Sequence, residues 1–428
     1  MKKIISLIAC GALLATGVVG FAACDDNNNN KKPTGGTIKL TLWGPSAQQD
    51  SLGQMVEAFK AANPDKTYDI SLGVCSEGEA YSFLSTDPTS GADVFSFAND
   101  QLVNIYKLGV LSPLSPSTVS SLKETNDADA VSFAKLGNQY YGYPYSFDNG
   151  YFLYYDSSIL NEEDVKDLDT IIRKCKAAGK TFGFEIKTAW YSNSFVFGAG
   201  GTYSVDVDDE GNWTNIQCNF DQKAPGSDYT YGELGGRAIT DLVKHDNVVL
   251  GDDAVIDSEL AAGTFGAYVR GTWKANDIKN SLGDNYAATA LPSWKSSLDG
   301  KTYPLAAYVG GKLYGVNSYS KNAAEAHRLA TFLVSKEMQE KRFDDNGIGP
   351  ANLEVARLEK VTSNIALAAL KAQKEKCYLI QIPMPENFWT EAGSFAEAMA
   401  GTSAPTGAAL LARVQDYVKA LKGESVEE

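Results

Sequence analysis

AGTFGAYVRGTWKANDI, residues 262–278, is the stretch on which the fold turns. Gly263 and Gly266 interrupt any helix arriving from upstream, and Ala267, Tyr268 and Val269 then form a short apolar run of the kind used inside a sheet. Gly271 lets the chain turn. Thr272 is placed to cap a helix beginning near Trp273, which leaves an indole face and free backbone N–H groups at the carboxyl end of a strand. In open α/β sheets, ligands bind at such ends. A tryptophan closing a strand–helix joint serves equally well as core, so the neighbouring segments decide what Trp273 does.

Working outward, residues 37–43, TIKLTLW, alternate as a strand that ends at Trp43, and residues 50–62 follow as a helix with Leu52, Met55, Val56 and Phe59 on one face. A second strand spans 68–74. Residues 92–99, ADVFSFAN, read as a buried strand containing Phe97, and Asp100 then either caps the helix at 102–108 or offers its carboxylate to a ligand. Residues 140–156, YYGYPYSFDNGYFLYYD, form an extended stretch whose paired tyrosines put one ring on each face. Trp190 and Tyr191 stand adjacent at a strand-to-helix joint, where exposed aromatic rings are awkward as core. Residues 206–211, DVDDEG, imitate a calcium loop. Gln217 occupies the place of the required bidentate glutamate, so a hairpin of 203–207 with 213–218 is expected instead. Residues 287–291 end a strand at Pro292, 305–317 supply a return strand, 323–335 form an amphipathic helix, and PMPENFW at 383–389 sets Trp389 at a helix start.

In this order the segments resemble the bacterial extracellular solute-binding proteins that feed ABC importers, in the branch typified by maltodextrin binders. The resemblance is carried by the block running from GADVF to GVLSPL at 91–114, the Tyr-Gly-x-Pro crossover at 141–144, the Trp273 element, NGIGPAN at 346–352 and the Trp389 segment. It implies an α/β, two-lobed periplasmic-binding-protein-like fold of type II, each lobe a mixed sheet flanked by helices, joined by crossover hinge segments. The implied first lobe is 37–147 plus 292–338 and the second 148–291 plus 339–422, with a third crossing near 336–341 and a disordered tail at 423–428. The resemblance further implies a sugar, in particular an oligosaccharide, as ligand. Trp190 or Tyr191, Trp273 and Trp389 would stack on it, and Trp43 would sit beside the cleft. Phe97 would form a platform, Asp100 would accept hydroxyl hydrogens, and Asp148 or Asn149 would form the floor, the register between these two remaining open.

The first 36 residues carry an address. Lys2 and Lys3 precede an apolar run that ends in Phe21-Ala22-Ala23-Cys24, which describes a signal peptide at 1–23. The cysteine after two alanines resembles a bacterial lipobox, although Phe21 stands where leucine is usual, and it implies lipidation of Cys24. The polar residues 24–36 then read as a flexible tether holding a monomeric body on the outer face of the cytoplasmic membrane. Contact with the membrane is expected through that lipid only, and delivery is to ABC importer permease subunits.

The formal charge of −15, which falls further once Lys2 and Lys3 leave, disfavours nucleic acid as a partner. Two histidines and cysteines without CxxC spacing give no basis for a metal site, and no cofactor is expected. Cys175 and Cys218 read either as a disulfide or as buried thiols. Two rivals share the fold: a polyamine binder, which would need three or more acids beside the tryptophans, and a ferric-ion binder built on a tyrosine pair. A third is a lipid-anchored glycoside hydrolase, which needs two carboxylates set across the cleft. No persuasive pair is visible in the sequence, so no enzyme is expected.

Overall fold

The computed structural model describes residues 36–380 and 383–424, and for 378–380 the backbone alone. The expected leader, Cys24, nearly all of the tether and the last four residues of the tail lie outside the described residues. We number the strands of the main sheet in chain order: β1 (Ile38–Gly44), β2 (Tyr68–Val74), β3 (Val94–Ala98), β4 (Tyr143–Asp156), β5 (Thr181–Gly183), β6 (Val248–Val249), β7 (Phe265–Gly271), β8 (Tyr286–Thr289), β9 (Ala307–Val316) and β10 (Tyr378–Ile380). Among the described residues they form one ten-stranded sheet in the order β6-β5-β7-β4-β9-β3-β1-β2, with β8 added to β4 and β10 to β9.

The sheet is mixed, and β4 explains why it has two halves. The first half of β4 pairs antiparallel with β9, Tyr143 opposite Tyr314 and Ser146 opposite Lys312. Its second half pairs antiparallel with β7, Tyr151 opposite Gly271 and Tyr155 opposite Ala267. On one side of this passage β1, β2 and β3 run parallel, and on the other so do β5, β6 and β7. All fourteen residues of β4 except Phe147 are buried, as are all ten of β9. Strands covered on both faces lose hydrophobic alternation, and these two read as apolar runs broken internally only by Ser146, Asp148 and Asn149 on β4 and by Lys312 on β9.

Each half closes its own core. Leu42, Met55, Phe59, Tyr143, Tyr314 and Leu329 pack together on the first side, continued by Phe95, Phe97, Leu102 and Leu313. Leu153, Ile171, Phe182, Tyr191, Phe195, Phe388 and Tyr417 pack on the second. The resulting shape is a two-lobed α/β fold with crossover strands between the lobes, as expected.

The passages between lobes come later in the chain than the sequence suggested. Residues after Pro292 do not yet leave the second lobe. The hairpin of Ser293–Lys295 and Thr302–Pro304 buries Trp294 against Phe195 and Tyr303, and the chain crosses within β9. Proline marked the end of a strand there, not the end of a lobe. The helix Lys336–Asn346 likewise still packs on the first lobe, where Gln339 Nε2 donates to Asn126 Oδ1 and Ser51 Oγ donates to Asp345. The chain then runs along the hinge, where the Gly349 N–H donates to Asp148 Oδ2, before Ile365–Lys376 joins the second lobe against β4 and β8.

The hairpin of Tyr203–Val207 and Trp213–Cys218 forms as expected. Cys75, Cys175, Cys218 and Cys377 are free thiols, and burial pushes those of Cys175 and Cys218 up to about 12. Among the described residues no helix is long and apolar enough to cross a membrane.

Candidate functional site

The segment 262–278 folds around its glycines. Gly263 ends the helix Asp253–Ala262 in the left-handed region, at φ 67°, where a side chain would be strained. β7 follows with all seven residues buried. Arg270 is tolerated inside it because its guanidinium meets Glu185, Asp253 at 2.7 Å and the Tyr191 hydroxyl at 3.1 Å. Thr272 does not cap a helix. Its hydroxyl donates to the carboxylate of Asp148 at 3.0 Å, and the short turn Thr272–Lys274 has no side-chain cap. The turn therefore ties the Trp273 joint to the hinge and leaves the indole 38 % exposed.

That indole borders a cavity of about 530 Å³ at the junction of the lobes. Its second-lobe wall carries Trp190, Trp273, Glu386 and Trp389. Its first-lobe wall comes from the turn Asn99–Gln101, the helix Leu102–Lys107 and the segment before and along Ala80–Thr86, which bring Asp100, Gln101, Asn104, Glu77 and Tyr81. Asn149 on β4 and Lys312 on β9 lie between them. Five of the residues singled out in the sequence thus meet in one place: Asp100, Asn149, Trp190, Trp273 and Trp389.

The aromatic wall is ordered by its neighbours. Trp190 stacks on Tyr308 with centroids 5.1 Å apart and lies 6.2 Å from Trp389. Its indole N–H is buried without a hydrogen-bond partner. On the polar side, Gln101 accepts from the Tyr81 N–H and donates to the Glu77 carbonyl, which locks the short helix over the cavity. Glu77 itself accepts from Tyr145 at 2.5 Å and from Gln48 at 3.2 Å. Burial pulls the Lys312 ammonium down, but the carboxylates of Glu77 and Asp148 outweigh it and hold its pKa above the ordinary lysine value.

Asp100 differs from these. It is 9 % exposed, and its Oδ1 has no hydrogen-bond partner. Neither adjoining helical turn uses it as a cap. Burial, with a smaller push from Glu386, raises its carboxyl to about 7.

Four other expected residues lie elsewhere. Phe97 is fully buried in the first-lobe core beside Phe95, because β3 is covered on both faces. Trp43 is half-buried against Phe83 and does not border the cavity. Tyr191 lies beneath Trp190, its ring 4.8 Å from Tyr151 and its hydroxyl on Arg270, so it supports the wall without forming it. Asp148 is wholly buried and braces the hinge through Thr272 and Gly349, whereas Asn149 borders the cavity. The two part company because successive side chains on a strand point to opposite faces.

Sequence reasoning missed Glu77, Gln101, Asn104, Lys312 and Glu386. A lysine inside the apolar run of β9 was a signal in plain sight, because a buried ammonium demands a partner. Three carboxylates border the cavity, the number set for a cation binder, but one of them, Glu77, is already bonded to Tyr145 and Gln48 beside Lys312.

Comparison with known proteins agrees with this architecture. The galactooligosaccharide-binding protein of Bacillus subtilis (strain 168) is 24% identical over 407 residues, 91% of each chain. A structure solved with acarbose superposes with a TM-score of 0.78 at 28% identity, covering 91% of this chain and 99% of that one. The maltose/maltodextrin-binding domain MalE from Bdellovibrio bacteriovorus, bound to maltotriose, gives 0.74 at 16% identity over 90% and 99% of the two chains. Residues 54–369 match the family model described as bacterial extracellular solute-binding protein, and with its two lobes and the cavity between them the chain belongs to that family.

Proposed function

We propose that this protein captures an oligosaccharide in the cavity between its lobes and delivers it to the permease of an ABC importer. The observation that carries the reading is the convergence of Trp190, Trp273 and Trp389, from three distant segments of one lobe, opposite the polar groups of Asp100, Gln101 and Asn104 on the other. Indole faces cover the C–H faces of sugar rings, and each stacked ring contributes roughly 1 kcal/mol or more. The facing carboxylate and amides take the hydroxyls. Micromolar binding requires about −8 kcal/mol net of ordering costs, so contacts from both lobes act together and hold the lobes closed on the ligand.

The sugar-binding relatives support this choice of ligand. A ferric-ion reading finds little support, since Tyr81 is the one tyrosine bordering the cavity among the described residues. Lipidation of Cys24 would keep the body at the outer face of the membrane beside its permease, and the function includes no catalysis.

The test is a calorimetric screen of malto-, xylo-, fructo- and galacto-oligosaccharides against the soluble body, repeated with Trp273→Ala. Micromolar binding of at least one series, weakened about tenfold or more by the substitution, is the expected result. Enzyme-dependent release of reducing ends from any of them would replace transport with hydrolysis.

A further inference from the structure

The cavity is short of positive charge. Glu77, Asp100 and Glu386 border it, with Lys312 as the one cation among its described lining residues. The Glu77 carboxylate helps keep the buried Lys312 charged, and it accepts hydrogens from Tyr145 and Gln48. Neither Asp100 nor Glu386 forms an ion pair with a described residue; Glu386 is exposed to solvent, whereas Asp100 is only 9 % exposed and its Oδ1 lacks any hydrogen bond.

The fold holds these two acids together. The Met384 N–H donates to the Asp100 carbonyl at 3.4 Å, and Asn104 Nδ2 donates to the Met384 carbonyl at 3.3 Å. The segment that begins the Glu386 helix is thus fastened against the turn that carries Asp100. A buried carboxylate oxygen without a donor takes one from whatever fills the cavity. A sugar hydroxyl supplies a hydrogen but leaves the buried Asp100 carboxylate, with the exposed Glu386 carboxylate on the same cavity rim, without a counter-charge. A protonated amine supplies both the hydrogens and the missing charge. Burial, with a smaller push from Glu386, raises the Asp100 carboxyl to about 7, and a cation seated beside it opposes both effects.

We propose that the site selects oligosaccharides bearing a protonated amine, the nitrogen seated between Asp100 and Glu386 and the sugar rings on Trp190, Trp273 and Trp389. This rests on the oligosaccharide reading above and narrows it. A sugar frame suits the site better than a bare polyamine, because a cavity of about 530 Å³ walled by three indoles offers far more flat apolar surface than an ammonium group covers.

The test is calorimetry with a matched pair, cellotriose and the β-1,4-linked glucosamine trimer, alongside maltotriose and spermidine. The glucosamine trimer is expected to bind about tenfold tighter than cellotriose, a difference of about 1.4 kcal/mol. Glu386→Gln and Asp100→Asn are each expected to shrink that preference to about threefold or less, while changing the affinity of the neutral trisaccharides less than that of the amine. A glucosamine trimer that binds no tighter than the neutral sugars, or does not bind while a neutral oligosaccharide does, overturns the amine selection and leaves the oligosaccharide reading standing. Spermidine binding tighter than every sugar, or no sugar binding at all, overturns both.

Discussion

The indole of Trp273 lies folded back over Gly271, so closely that a Cβ on the glycine would stand 2.0 Å from Cζ3 of the ring. The glycine is needed for what lies above it, since its own φ of −93° is open to any residue. Gly271→Ala must therefore swing the ring out of the cavity wall. We expect ligand affinity to fall about tenfold, near 1.4 kcal/mol, in calorimetry. Because Trp273 is partly exposed, the unfolding midpoint should move by only a few degrees in the same variant.

Trp43 and Trp389 separate core from cavity. Trp43→Ala removes packing against Phe83 and should destabilise the fold by about 1–3 kcal/mol in urea while leaving ligand affinity unchanged. Trp389→Ala removes a face that borders the cavity and should weaken binding about tenfold. Equal affinities for the two variants would dissociate Trp389 from the ligand.

Asp100 makes stability depend on pH. Its carboxyl is raised in the folded state, so its contribution is fully present below the ordinary carboxylate range near 4 and is lost as pH climbs through about 7. Asp100→Asn, which stays neutral, should match the wild type near pH 4 and exceed it at pH 8 by on the order of 2–4 kcal/mol in ligand-free urea unfolding. A gap of the same size at both pH values would refute the burial of this charge.

The hinge bond between Thr272 and Asp148 links the tryptophan joint to the crossover. Thr272→Val deletes the hydroxyl that donates to Asp148 and should cost about 1–3 kcal/mol of stability. It should also weaken ligand binding although Trp273 is intact, because the joint is no longer held to the strand that passes between lobes. Thermal unfolding and calorimetry on one preparation would report both effects.

Much of this was legible where one physical signal dominated. The apolar run at 267–269, the Gly-x-Trp spacing after it and the helix face of Leu52, Met55, Val56 and Phe59 all found their elements. Signals failed where both faces of a strand are covered. Phe97 on β3 could not be assigned inward or toward the cleft because alternation carries no information there. Asp148 and Asn149 differ by a single step along β4, and only its pairing with β9 says which side chain meets the cavity. Pro292 and the helix at 336–346 gave local punctuation, whereas lobe membership depends on distant packing such as Trp294 on Phe195 and Gln339 on Asn126.

Strand β4 runs through both halves of the sheet, and its partner β9 lies more than 150 positions downstream. A growing chain that has produced β1 to β8 still has an unpaired edge on β3 and a bare first half of β4, because β9 is the strand that covers both. The second half, where β7 and β8 already flank β4, can pair ahead of it, but the first half cannot be completed until that late segment emerges. Partly made chains are thereby kept from finishing the first lobe, whose sheet closes only when synthesis is well advanced.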